Sequence, residues 1–237
     1  SRMSATRLPG KPLLKINGLS IISHVFKKAE EANIGEVIVA TEDQEIIDDV
    51  HKNGGQAILT DETHKTGTDR IYDAFKKLAK VDIELIMNLQ GDEPLMNIED
   101  IRNLHNQMIK SNSEMGTLAS KIEDENFFQN ENVVKVLTKQ SLTNSEFPEA
   151  INFMRKLTSQ RDNVYHHLGI YCYKLKTLKN FVSLNQSPNE IKNRLEQLRA
   201  LDNNIKINVS LAKESPIGVD TKEDFVAIKK IMEYNLK

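Results

Sequence analysis

At 237 residues with 39% hydrophobic side chains, the chain can bury one substantial core, and a single α/β domain over 1–237 is the expected organisation. Lys plus Arg (32) nearly balance Asp plus Glu (34), which excludes a global field drawing the protein to nucleic acid or to an anionic membrane; any anion site must be local. One cysteine, Cys172, leaves no internal disulfide, and no apolar run approaches the ~20 residues of a membrane-spanning helix, so a reducing cytoplasm is the expected compartment. The opening residues are basic, carry Pro and Gly, and lead into no apolar segment, unlike a signal peptide.

In chain order, Ile21, Ile22, Val25, Phe26 and Ala29 recur at helical spacing, and residues 36–40 follow as a short buried strand. A helix with Ile46, Ile47 and Val50, a strand at 57–60, a helix with Ile71, Ala74, Phe75 and Leu78, and a strand at 83–89 continue the alternation. This βαβα rhythm predicts a largely parallel sheet with helices on both faces and ligands at the strands' carboxyl ends. Past residue 110 the rhythm changes, with strands expected at 116–122, 133–138 and 168–174 and no comparable helix between them. The polar stretch 144–163 reads as an excursion from the sheet and a candidate pairing surface, since so long a structureless loop is unusual in a compact domain. A helix carrying Ile191, Leu195, Leu198 and Leu201, a strand at 205–211 and a helix with Phe225, Ile228 and Met232 close the chain.

Residues 1–12 hold three cations, Arg2, Arg7 and Lys11, no acid, and Gly10 between two prolines. This is the composition of a phosphate cradle, with guanidinium forks, a mobile ammonium and a backbone able to approach an anion; a solvated basic tail has the same composition. It is not a Walker A loop, because no Gly-Lys-Ser/Thr follows the required spacer. Gln90, Gly91, Asp92, Glu93 and Pro94 directly follow the apolar run 83–89. Carboxylates at that edge suit a hard cation such as Mg²⁺ shared with phosphate oxygens, and also suit an ordinary acidic turn. Thr221 and Asp224 have the spacing of a helix-start cap, which leaves Asp220 unexplained. Thr66, Gly67, Thr68 and Arg70 lie between a strand and a helix, where a base or phosphate could dock and where Thr66 or Thr68 could equally act as an N-cap. His167, Gly169 and Tyr171 open a later strand, and Glu196 and Gln197 fall within a helix; such polar groups can bind a polyol or be structural. No Cys/His cluster supports zinc, no Gly-x-Ser-x-Gly supports a hydrolase, and no Gly-x-Gly-x-x-Gly supports a dehydrogenase.

In this order the segments resemble the 3-deoxy-manno-octulosonate (Kdo) cytidylyltransferases, the CMP-Kdo synthetases. The loop from Ser4 to Leu13 marks the wider sugar nucleotidyltransferase superfamily. Four later motifs narrow the likeness: Asn88-Leu89-Gln90-Gly91-Asp92-Glu93-Pro94, His167-Leu168-Gly169-Ile170-Tyr171, Leu195-Glu196-Gln197-Leu198-Arg199 and Gly218-Val219-Asp220-Thr221. The resemblance implies a Rossmann-like three-layer fold of the nucleotide-diphospho-sugar transferase type, with a mostly parallel mixed sheet. It also implies a homodimer formed through 120–165. Arg2, Arg7 and Lys11 would hold the CTP phosphates; Thr66, Gly67, Thr68 and Arg70 would position the nucleotide; Asp92 and Asp220 would ligate Mg²⁺; Gln90, His167, Tyr171, Glu196 and Gln197 would bind the sugar acid. The implied reaction has the sugar's anomeric hydroxyl attack the α-phosphorus of CTP and release pyrophosphate, with Arg2, Arg7, Lys11 and Asp92 supplying catalysis by positioning and charge neutralisation rather than by a protein nucleophile.

Two departures from the family pattern accompany it. Members place an apolar strand before the phosphate loop, whereas this chain begins inside the loop, so weak or no activity is expected without upstream residues. Asn144 stands where the family's Arg before Ile-Pro is expected, with Arg155 and Arg161 as candidate replacements. Activation of another sugar acid, and a non-catalytic nucleotide-binding homologue, are the competing readings.

Overall fold

A computed structural model describes residues 1–3, 7–64, 66–80, 82–157 and 162–234. Ser4, Ala5 and Thr6 of the basic loop, and Arg161, lie outside them. The elements run β1 Lys15–Ile16, β2 Leu19–Ser20, α1 Ile21–Ala32, β3 Val39–Thr41, α2 Gln44–Lys52, β4 Ala57–Leu59, α3 Gly67–Leu78, β5 Leu85–Asn88 and α4 Ile98–Ser111. They continue with β6 Met115–Ser120, β7 Lys135–Thr138, β8 Ala150–Met154, β9 Val164–Lys174, α5 Leu175–Ser183, α6 Pro188–Asn193, α7 Leu198–Asp202, β10 Ile207–Leu211 and α8 Lys222–Tyr234. The chain forms two compact units: residues 1–80, 90–98 and 216–237, and residues 81–89 and 99–215.

In the first unit, Asn17 (φ 49°) and Gly18 (φ 82°) turn β1 back on β2 as a two-residue hairpin. Ser20 then caps α1, its side chain accepting from the Ser23 N–H, which satisfies a donor that the helix itself leaves open. The apolar stripe expected on α1 is realised: Ile22 and Phe26 pack with Val39 of β3 and Ile46 and Val50 of α2. On the same helix, Ile21 joins Ile16, Val219 and Ile228 in a second cluster, which anchors α8. β3 and β4 pair in parallel across the α2 crossover.

The second unit is a six-stranded mixed sheet ordered β10-β6-β9-β7-β8, with β5 also on β9. β10 and β6 are parallel, whereas β6–β9, β5–β9, β7–β9 and β7–β8 are antiparallel. The α/β class and the mixed sheet agree with the sequence; the expected parallel majority does not. Between β6 and β9 the described connections contain no α-helix, and without crossovers neighbouring strands must run antiparallel. α4 lies against β6 at Gly116, where a Cβ would meet Met108 Sδ at 2.7 Å and Phe147 Cζ at 2.9 Å, so any larger residue would push helix and strand apart.

Two further expectations change. Inside the polar stretch 144–163 lies β8, paired to β7 with a register shift at Leu137/Thr138; its mixed burial hides it from a period-2 reading. The helix expected across 191–201 is broken: Arg194 takes the left-handed conformation (φ 53°) after α6, and α7 starts only at Leu198. Glu196 and Gln197 therefore sit in the link between two short helices, not within one.

Candidate functional site

Lys11 opens a 3-10 turn directly after Gly10, whose φ of 72° lets the loop reverse. Its ammonium, largely buried, donates to Asp92 Oδ2 at 2.5 Å, the Val219 carbonyl at 2.9 Å and Asp220 Oδ1 at 3.3 Å. Arg7 Nη2 reaches Asp220 Oδ2 at 2.9 Å. Asp92 and Asp220, 128 positions apart, are brought together by the Val219 N–H donating to the Asp92 carbonyl at 2.9 Å and by the start of α8. There Thr221 Oγ1 accepts from the Asp224 N–H and Asp224 Oδ2 accepts from the Thr221 N–H, the reciprocal cap read from the sequence. Two carboxylates thus converge on one cationic atom. Arg2 is exposed and enters none of these bonds.

Beside them sits Glu93. Burial first, then the charges of Asp92 and Asp220, push its carboxyl up to about 8, with Lys11 opposing the rise. Its Oε2 is buried and has no hydrogen-bond partner among the described residues.

Still in the first unit, Thr66 caps α3, its hydroxyl accepting from the Asp69 N–H at 3.2 Å; Gly67 is the first helical residue and Thr68 is buried. Arg70 faces inward. Its guanidinium donates to Thr60 Oγ1 at 3.0 Å and pairs with Glu42. The hydroxyl of Thr66 is occupied by the cap and the charge of Arg70 by Glu42, so the backbone at 66–68 is the part of this segment open to an anion.

In the second unit, His167 and Tyr171 lie on β9 rather than at its start. Their rings are 5.4 Å apart and Phe153 meets His167 edge-on at 5.0 Å. Burial, with a smaller push from His166, lowers the His167 imidazole to about 3. Tyr171 is raised well above the usual phenol range by burial, then by Tyr173 and Glu196, which brings Glu196 into the same neighbourhood. Gln90 belongs to the first unit.

Sequence reasoning missed the frame of the Glu196-Gln197 link. Arg155, next after β8, donates through Nε to the Asn193 carbonyl (2.9 Å) and through Nη2 to the Arg194 carbonyl (3.0 Å). Arg199 grips buried Glu190 with two bonds of 2.8 and 2.6 Å, and Glu190 closes a capping box with Ser187. Asn144, the departure noted above, lies exposed in the turn before β8.

The two neutral histidines of β9, His167 buried and His166 half-buried, carry a stability consequence. His166 is held down to about 4 by burial and then by the charge of Lys135; His167 behaves alike. Both folded values lie below the unfolded one near 6.5, so the unfolded chain binds more protons and stability falls as pH drops from 6.5 through 4. In a Glu93→Gln background, which removes the opposing titration of that raised carboxyl, urea unfolding at pH 5 should give about 3 kcal/mol less stability than at pH 7; equal midpoints and slopes at the two pH values would contradict the neutral state of the histidines.

A cytidylyltransferase family model matches residues 1–207. The 3-deoxy-manno-octulosonate cytidylyltransferase of Thermodesulfovibrio yellowstonii is 41% identical over 98% of this chain and 95% of the relative, and that of Rhodopseudomonas palustris is 40% identical over 99% and 96%. The chain belongs to the 3-deoxy-manno-octulosonate cytidylyltransferase family. As a cytidylyltransferase it is a CTP-using nucleotidyltransferase. A solved CMP:2-keto-3-deoxy-manno-octonic acid synthetase complexed with CTP superposes with a TM-score of 0.90 at 32% identity, covering 99% of this chain and 96% of that one. Apo UDP-glucose pyrophosphorylase, at 11% identity and a TM-score of 0.70, shares the fold. No helix among the described residues is long and apolar enough to cross a membrane.

Proposed function

We propose that this cytidylyltransferase moves CMP from CTP to the anomeric hydroxyl of 3-deoxy-D-manno-octulosonate, giving CMP-Kdo and pyrophosphate for lipopolysaccharide biosynthesis in the cytoplasm. The observation that carries the reading is the convergence of Lys11 and Arg7 on Asp92 and Asp220, in a chain about 40% identical to named CMP-Kdo synthetases.

Pyrophosphate departure concentrates charge on the phosphate oxygens, so cations and positioning carry the catalysis. Arg2, exposed beside the loop, together with Arg7 and Lys11, would neutralise the triphosphate. The backbone N–H groups at the start of α3 would hold a further oxygen or the base, with Arg70 fixing that helix through Glu42. In the second unit, His167, Tyr171, Glu196 and Gln197 would hold the sugar acid. Among the described residues no three His, Cys, Asp or Glu side chains form a complete metal cage. Mg²⁺ takes one or two carboxylates and completes its shell with phosphate oxygens and water. Asp92 and Asp220, already sharing one cationic atom, fit that role. When bound, the ion would supply additional neutralisation of the phosphates.

The deciding assay measures pyrophosphate release from CTP with Mg²⁺ and Kdo, against sialate and other eight-carbon sugar acids. Release that requires Kdo supports the reading; binding of CTP without turnover on any sugar acid would overturn it.

A homodimer through 120–165 is part of the proposal. Among the described ladders β8 is the terminal strand of its sheet, and Ile151 on it is 51% exposed; an unpaired apolar edge favours association with a second copy. Light scattering at micromolar concentration should give twice the chain mass, and a monomer would refute the dimer.

A further inference from the structure

Thr117, the third residue of β6, is fully buried and faces β9 across an irregular register, the ladder shifting between Thr117 and Leu118. Its Oγ1 lies 2.7 Å from the Ile170 carbonyl, 3.2 Å from the Leu168 carbonyl and 3.0 Å from His167 Nε2. A carbonyl oxygen has no proton to give, so the 2.7 Å contact requires the hydroxyl hydrogen to point at Ile170. A hydroxyl has one hydrogen. With that hydrogen directed at the Ile170 carbonyl and, more weakly, at the Leu168 carbonyl, the contact with Nε2 at 3.0 Å needs a proton from the imidazole, which makes Nε2 the protonated ring nitrogen. His167 is also held neutral by its burial, so Nδ1 carries a lone pair. Nδ1 makes no hydrogen bond to the described residues, although the ring is enclosed by Phe153 and Tyr171.

We infer that Thr117 is a positioning residue that fixes His167 as its Nε2–H tautomer and so presents Nδ1 as an acceptor for a hydroxyl of the sugar acid. The inference deepens the proposed function and rests on His167 belonging to the sugar site. The chemistry is that of a metal-free second contact: the group behind the histidine decides which nitrogen faces the ligand. The sequence offers no hint of it, because a threonine inside the apolar run of β6 reads as an ordinary strand residue.

Thr117→Val keeps the shape and removes the hydroxyl; Thr117→Ser restores it. In ¹⁵N-histidine spectra the native protein should show His167 as the Nε2–H tautomer, Thr117→Val should lose that preference, and Thr117→Ser should recover it. In the steady state, Thr117→Val should raise KM for Kdo about tenfold, with KM for CTP and kcat changed less than about threefold, as expected for loss of one hydrogen bond to the sugar. A native tautomer in Thr117→Val, or an unchanged KM for Kdo, would overturn the inference. So would equal losses toward Kdo and CTP, which mark a merely structural residue. If the native enzyme fails to use Kdo at all, the functional reading falls, while the spectra still decide what Thr117 does to His167.

Discussion

Asp92→Ala is expected to lower pyrophosphate release from CTP and Kdo by about a thousandfold, with no recovery at high Mg²⁺. The residue follows β5 and its Oδ2 makes the shortest of the three bonds to the Lys11 ammonium. Its removal would leave Lys11 on the Val219 carbonyl and Asp220, and would take away one of the two carboxylates proposed for the cation. Raising the metal concentration cannot replace a missing ligand that also orients Lys11. The fold should survive, because the connection to residue 219 runs through the Asp92 backbone carbonyl, which alanine retains. Thermal denaturation within about 3 °C of the native protein, alongside the lost turnover, is the expected pair of results; a change of that size corresponds to only ~1 kcal/mol. Native-like turnover would remove Asp92 from the chemistry and with it the proposed metal site.

Lys135→Met should cost stability instead. Lys135 on β7 is fully buried, and its ammonium donates to the carbonyls of Asn130 (2.7 Å), Val133 (2.8 Å) and Arg155 (2.5 Å). It ties the loop before β7 to the end of β8, and so to Arg155, which frames the Glu196-Gln197 link. Burial, then the charge of Arg155, lowers its pKa, so its charge is held at a desolvation cost that the three carbonyls offset. Methionine fills a similar volume and leaves all three acceptors without that donor. The expected loss is about 3–5 kcal/mol, or roughly 10 °C in Tm for a chain of this size. The variant carries its own signature: with the neighbouring charge gone, the His166 imidazole should titrate above about 4. An unchanged Tm would mean that water satisfies those carbonyls as well as the lysine does.

Much of the first unit was legible, because its signals are local. The stripe on α1, the Thr221-Asp224 cap and the placement of Asp92 just after an apolar strand need only spacing and residue type. Two further local signals were present and unused: Asn17-Gly18, which makes the β1–β2 hairpin, and Ser187-Pro188 with Glu190, which starts α6. Other features were not legible. Val-Lys-Val-Leu-Thr at 134–138 reads as a strand in which the lysine would face solvent, yet Lys135 is buried because two local carbonyls, of Asn130 and Val133, and the distant one of Arg155 receive it. Arg70 reads as a cation for phosphate, and its pairing with Glu42, 28 positions away, is not visible in the spacing. The helix through Leu195 has the right period, but Arg155 and Arg199 hold the chain in a turn there.

By itself, then, the sequence determined the family, the α/β class and which residue types could neutralise a triphosphate, because motifs and periodicity are properties of neighbouring positions. The tertiary structure alone decided which of those groups meet. It joined Lys11 to Asp92 and Asp220, turned Arg70 inward, set the strand directions of the mixed sheet and put Thr117 behind His167. Such pairings depend on long-range closure and on competition for a limited set of buried partners, which spacing along the chain does not encode.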